Sequence, residues 1–119
     1  MINQRPHKQL KVWQRAIELV TEIYRITDSF PKKEEFGLTA QLRRAAVSVP
    51  SNISEGLTRK SGKEKLHFLN IAQSSLSEID CQVEIGIRLG YLDQETYEQV
   101  EKDLVEVQML LSGLSRSIR

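Results

Sequence analysis

Apolar residues recur along this chain in steps of three and four, the spacing that keeps side chains on one face of an α-helix. Leu10, Trp13, Ile17, Val20 and Tyr24 form the first stripe, within a helix predicted over roughly residues 9 to 29. Beside it lie Ala16 with Ile23, and then Val12, Leu19 and Ile26. At about 100° per residue these rows together widen the apolar arc to roughly 160°. A helix on the outside of a lone bundle needs less. Ser29-Phe30-Pro31 ends the helix, because the residue before a proline resists helical dihedrals.

Leu38, Leu42, Ala45, Ala46, Val49 and Ile53 make the second stripe, which ends near Gly56. Pro50 lies inside it, with no N–H for the Ala46 carbonyl and a ring that crowds that carbonyl, so the helix must bend or stop. The apolar register continues from Val49 to Ile53, which favours one helix kinked at Pro50 over two short ones. Ser48, Ser51 and Ser54 surround the proline, where hydroxyls satisfy freed carbonyls or cap a restarted helix.

Ser61-Gly62-Lys63-Glu64 has capping-box spacing and opens a third helix. Its seam is Leu69, Ala72, Leu76, Ile79, Val83 and Gly86, flanked by Phe68, Ile71, Ile85 and Leu89, and Gly90 is placed to stop it in the left-handed conformation. Asp93 is the expected N-cap of the fourth helix, whose seam of Tyr97, Val100, Leu104, Val107, Leu111, Leu114 and Ile118 never misses a step. Stripes this narrow suit near-parallel packing. Helices of this length joined by short connections predict an all-α fold, an antiparallel up-down-up-down four-helix bundle forming a single domain over residues 1–119.

Composition narrows the chemistry. Cys81 is the only cysteine, so the chain forms no internal disulfide and no cysteine-based metal cluster. Met1 to Gln9 is polar rather than a signal peptide, and no apolar run approaches the roughly 20 residues that span a bilayer. A cytoplasmic location is the expectation. Glu34 with Glu35, or Glu78 with Asp80 and Glu84, are the carboxylates from which an acid and base could be drawn, but nothing in their pattern separates their pKa values, and solvation or ion pairing accounts for them. His7 and His67 are isolated and lack metal-ligand spacing. The serines around Pro50 have no histidine or lysine near them in sequence, so helix repair is preferred to nucleophilic catalysis. No catalytic residue, metal ligand or cofactor is expected. Arg43 and Arg44 either reach phosphate or, as the preferred reading, pair with Glu78 or Glu84. Glu55 and Arg59 are spaced for a local pair.

Three stretches carry a family resemblance: "QLRRAAVSVPSNISEG" (Gln41 to Gly56), "FLNIAQSSLSEID" (Phe68 to Asp80) and "RLGYLD" (Arg88 to Asp93). "LKVWQRAIELV" (Leu10 to Val20) and "FPKKEEFGLT" (Phe30 to Thr39) fit the same pattern. Together they resemble the bacterial four-helix bundle proteins first noticed as products of intervening sequences inside large-subunit ribosomal RNA genes. The resemblance implies a homopentamer of bundles arranged as a barrel. It also implies distant kinship with the accessory protein of diversity-generating retroelements, a strongly basic protein that binds nucleic acid. Within the second-helix signature, Gln41, Arg44, Ser48, Pro50, Asn52, Glu55 and Gly56 match, and no catalytic role attaches to any of them.

With 17 Lys and Arg against 16 Asp and Glu, the net charge is +1, so only its distribution can select a partner. In an up-down-up-down bundle the N-terminus, the connection between the second and third helices, and the C-terminus share one end. That end gathers Arg5, Lys8, Lys11, Arg59, Lys60, Lys63, Lys65, Arg116 and Arg119 against Glu55 and Glu64. The other carries Lys32, Lys33 and Arg88 against Asp28, Glu34, Glu35, Asp93, Glu95 and Glu98. Subunits aligned side by side would fuse the basic ends into a ring able to hold RNA or single-stranded nucleic acid through many salt-sensitive phosphate contacts. The alternatives are solvated surface lysines, and a protein-interaction scaffold with no nucleic-acid role.

Overall fold

A computed structural model describes residues 6–118. Four helices account for most of them: α1 (Lys11–Thr27), α2 (Leu38–Leu57), α3 (Gly62–Arg88) and α4 (Gln94–Ser117), with short 3-10 turns at Pro6–Gln9 and Lys32–Glu34. Each helix packs on its neighbour in sequence, and α4 returns to pack on α1, closing a four-sided bundle. Side-chain bonds fix the antiparallel register. Trp13 Nε1 donates to Ser54 Oγ (2.9 Å) and Arg43 Nε to Thr27 Oγ1 (2.8 Å) between α1 and α2. Ser75 Oγ donates to Ser48 Oγ (2.8 Å) between α2 and α3, and Gln73 Nε2 to Ser112 Oγ (3.0 Å) between α3 and α4. Arg15 reaches Glu106 from α1 to α4 at 3.4 Å. The expected up-down-up-down order holds.

The predicted seams of α2, α3 and α4 form the core: Leu42, Ala46, Val49, Ile53, Leu69, Ala72, Leu76, Ile79, Val100, Leu104, Val107 and Leu111 are all buried. In α1 the order of the rows reverses. Val12, Ala16, Leu19, Ile23 and Ile26 face the core, whereas Trp13, Ile17 and Val20 are half-buried and Tyr24 is exposed. The stripe taken from sequence as primary is therefore the flank on the α2 side. Both rows are apolar, so periodicity alone could not rank them. That flank and α2 form an apolar groove lined by Trp13, Ile17, Val20, Val47 and Pro50.

Helix α2 runs without interruption through the buried Pro50. The serines around it act differently from the sequence expectation. Ser48 accepts from Ser75 and from Asn52 Nδ2 (2.9 Å), and Ser54 accepts from Trp13. The bonds from Ser75 and Trp13 join α2 to α3 and α1, the bond from Asn52 stays within α2, and neither hydroxyl donates to the Ala46 carbonyl that Pro50 leaves free. Small residues permit the approach: a Cβ on Gly56 would lie 3.1 Å from both the Lys65 carbonyl and Phe68 Cβ.

The predicted stops and starts lie where expected. Gly90 has φ +80, with its N–H on the Ile87 carbonyl and that of Tyr91 on the Gly86 carbonyl, each at 2.9 Å, a Schellman closure of α3. Ser61 Oγ accepts from the Glu64 N–H (3.1 Å), and Asp93 Oδ1 from that of Thr96 (2.8 Å). No other residue with positive φ occurs among those described, and a Cβ at Gly90 would meet nothing within 4 Å. Gly90→Ala therefore isolates backbone strain. It is expected to destabilise by about 1 kcal/mol, read as the urea midpoint at unchanged slope.

Candidate nucleic-acid interface

The antiparallel register brings together one end of the bundle: the start of α1, the end of α2, the start of α3 and the end of α4. Seven of the nine cations expected there fall within the described residues; Arg5 and Arg119 lie outside them. Lys8 precedes α1 and Lys11 is its first residue; Arg59 and Lys60 lie in the α2–α3 connection; Lys63 and Lys65 open α3; Arg116 is in the last turn of α4. Against them stand Glu55 and Glu64, leaving five net positive charges.

Their placement runs against local electrostatics. A helix N-terminus carries partial positive charge and favours acids, yet the first turn of α1 holds Lys11 and no acid, and Lys63 and Lys65 enter α3 beside the single acid Glu64. Among the described residues Lys8, Lys11, Lys60, Lys63, Lys65 and Arg116 make no ion pair, and all but Lys65, which is half-buried, are exposed.

Arg59 differs. Its Nη2 meets Glu55 Oε2 at 2.6 Å, as the i,i+4 spacing predicts, and its guanidinium lies 4.7 Å from the centre of the Phe68 ring. It is a held post beside lysines that make no ion pair. His67 stands edge-on to Phe68 at 5.1 Å and His7 edge-on to Trp13 at 5.4 Å, both pairs local in sequence, so aromatic rings lie near this end.

At the opposite end the carboxylates have structural work. Glu34 accepts from the Leu38 N–H (3.0 Å) and the Tyr91 hydroxyl (2.9 Å), and these two bonds, in that order of weight, lower its pKa. Asp93 caps α4, and Asp28 meets Arg43 at 3.0 Å. Arg43 thus pairs with Asp28, not with Glu78 or Glu84. Loop residues following α1 were closer to it than the sequence pattern suggested. Arg44 and Glu78 line one cleft between α2 and α3 without forming an ion pair. Glu84 is held by Tyr97 (2.6 Å) and Arg88 (2.7 Å); the hydrogen bond to Glu84 is the leading cause that pushes the Tyr97 hydroxyl up to about 12.

One carboxyl missed in the sequence does have a displaced pKa. Glu101, on the side of α4 that faces α3, is pushed up to about 7, first by burial and then by its hydrogen bond with Asp80 and the negative charges of Asp80 and Glu84. Its Oε1 is buried without a partner. Glu101 follows Tyr97 by one helical turn beside the apolar seam, the only hint available from sequence. Among the described residues, no group of three or more His, Cys, Asp or Glu is placed to hold a metal ion. No described helix is long and apolar enough to cross a membrane.

The model of the 23S rRNA-intervening sequence proteins matches residues 8–113. The chain belongs to this family. A protein of unknown function from the S23 ribosomal protein family of Bacteroides thetaiotaomicron has a similar crystal structure. It is 27% identical, with a TM-score of 0.78 over 87% of this chain and 97% of that one. Among curated proteins nothing matches the chain. The 23S rRNA-intervening sequence family thus accounts for the bundle, and neither it nor the similar structure carries an enzymatic designation.

Proposed function

We propose that this member of the family is a non-enzymatic homo-oligomer, a pentamer by the resemblance of its sequence, that binds RNA or single-stranded nucleic acid through its pooled basic ends. The observation that carries this reading is the set of unpaired cations on all four strands of chain at one end, three of them lysines at helix N-termini where the dipole disfavours them. Such cations gain from displacing counterions along a phosphate backbone. Self-association is supported by apolar surface left uncovered: the groove of Trp13, Ile17, Val20 and Val47, together with Met109, 69% exposed on α4. The contacts fall on phosphates, so binding discriminates poorly among sequences.

The test joins gel retardation with native mass spectrometry. Purified protein is expected to retard short RNA at low salt, with affinity falling steeply as salt rises. Lys60→Glu combined with Lys63→Glu is expected to abolish retardation and leave oligomer mass unchanged, both side chains being exposed. Retardation indifferent to salt and to both substitutions rejects the interface, and a lone folded polypeptide in dilute solution rejects the ring. Stoichiometric co-purification of a protein without nucleic acid selects the scaffold reading, which the same apolar groove favours.

A further inference from the structure

Two uncharged bands lie on unlike faces of the bundle. From Ala45 to Ser54, α2 carries no charged residue, and from Val107 to Ser115 neither does α4. A helix face left to water normally carries charge. On α2 the band forms one wall of a groove of about 200 Å³, with Val47 and Pro50 facing Trp13, Ile17 and Val20 of α1. On α4 the exposed apolar side chains are Met109 and, one turn before it, Val105, which together make a ridge.

Beside each apolar feature stands charge that its own chain leaves unmatched. Arg44, one turn before Val47 on α2, is exposed and makes no ion pair among the described residues. Glu101, one turn before Val105 on α4, shares a hydrogen bond with the exposed Asp80, and the charges acting on it, Asp80 and Glu84, are both negative. Neither Glu101 nor Asp80 meets a cation among the described residues.

The heights agree. Helices α2 and α4 both run toward the basic end, and at about 1.5 Å per residue Val47 stands roughly 15 Å above the last residue of α2 and Val105 roughly 18 Å above that of α4. Arg44 and Glu101 follow at roughly 20 and 24 Å. With two copies side by side and their basic ends together, Arg44, Val47 and Ser51 of one run in step with Glu101, Val105 and Met109 of the other. Turning one copy over would instead set Arg44 against Met109 and bring Glu55 toward Glu98.

We propose that a second copy of this chain seats its α4 ridge, Val105 and Met109, in the α1–α2 groove, with Arg44 of the receiving copy meeting Asp80 and Glu101 of the incoming one. This contact rests on the reading of the protein as a homo-oligomer and supplies the surfaces that meet in it. The flexible thioether of Met109 suits an irregular groove, and the charge pair fixes the direction of approach. A contact between unlike surfaces with aligned long axes repeats in one direction and keeps every basic end on one side.

Native mass spectrometry of full-length variants, at a concentration where the wild type is fully assembled, tests this. Val47→Glu charges the groove and Met109→Glu the ridge; both positions are exposed, so each chain is expected to keep its helical circular dichroism. Each variant alone is expected to run as single chains, since every contact needs one groove and one ridge. Mixed in equal amounts, they are expected to form a one-to-one heterodimer and nothing larger, because exactly one intact contact remains between them. Arg44→Glu is expected to raise the dissociation constant of the assembly about tenfold, and adding Asp80→Arg to restore it to within about threefold. Met109→Glu assembling like the wild type, a mixture that stays as single chains, or a double variant no tighter than Arg44→Glu overturns these surfaces and leaves self-association standing. Another protein that co-purifies with the wild type and is lost with Val47→Glu, in place of a second copy, overturns them too. A wild type that is itself a lone folded chain rejects the homo-oligomer along with the contact.

Discussion

Leu76→Ala is expected to cost about 3 kcal/mol and to lower the melting temperature by roughly 12 °C. Leu76 is fully buried midway along α3, one residue from the Ser75–Ser48 bond that ties α3 to α2. Truncation loses the transfer free energy of the removed carbons and leaves a cavity in a close-packed core. That cavity refills poorly, because Ala72, one turn earlier on the same buried face of α3, has only a methyl group to offer. Met109→Ala on the exposed face of α4 is the control, expected within about 0.5 kcal/mol in the isolated bundle. A thermal melt in which both variants lose equally would contradict the assignment of α3 to the core.

Glu101→Gln is expected to flatten the dependence of stability on pH between about 5 and 8 and to stabilise the protein at pH 8 by about 1 kcal/mol. Glu101 titrates at about 7 in the fold, against about 4.3 in an unfolded chain. A carboxyl whose folded pKa is raised contributes stability fully present below the unfolded value. That stability is lost as pH rises through the folded value. The charged groups facing Glu101 are Asp80 and Glu84 from α3, with the Tyr97 hydroxyl on α4 nearby; each carboxylate disfavours its ionisation. The figure is kept low because part of the side chain reaches water, which screens the interaction. Asp103 is also raised, chiefly by burial, so it acts with the same sign, whereas Glu84 and Glu34 are lowered and act in the acid range below this window. Urea denaturation at pH 5.5 and at pH 8 checks the prediction. A slope that survives the substitution would assign the titration elsewhere.

Much of this architecture was legible before any coordinates. The stripes of α2, α3 and α4 matched the buried faces because in each one unbroken apolar row dominates, even where α3 carries Phe68, Ile71, Ile85 and Leu89 beside it, so one orientation hides most apolar surface from water. Gly90, Ser61 and Asp93 were legible because caps are local, set by dihedral freedom or by a hydroxyl or carboxylate in reach of the next turn. The α1 stripe misled because two adjacent rows are equally apolar. Only α4 packing beside α1 settles which faces inward. The arginines misled for a related reason: Arg43 is 15 residues from Asp28 in sequence, and the turn at Pro31 folds them together. Of the candidate interface, the identity of the cations and the Glu55–Arg59 pair were readable, but not that the Arg59 guanidinium also lies over the Phe68 ring.

The sequence by itself determined four amphipathic helices, their ends, their order and the gathering of positive charge at one end, because these follow from periodicity, capping and alternation of direction along one chain. Tertiary structure decided what depends on distance between residues far apart in that chain. It set which flank of α1 is hidden, which hydroxyls join α2 to its neighbours, and which arginines are held and which lysines are free. It also set the displaced carboxyl of Glu101 against Asp80. Burial, pairing and desolvation are properties of neighbours, and neighbours exist only once the helices have packed.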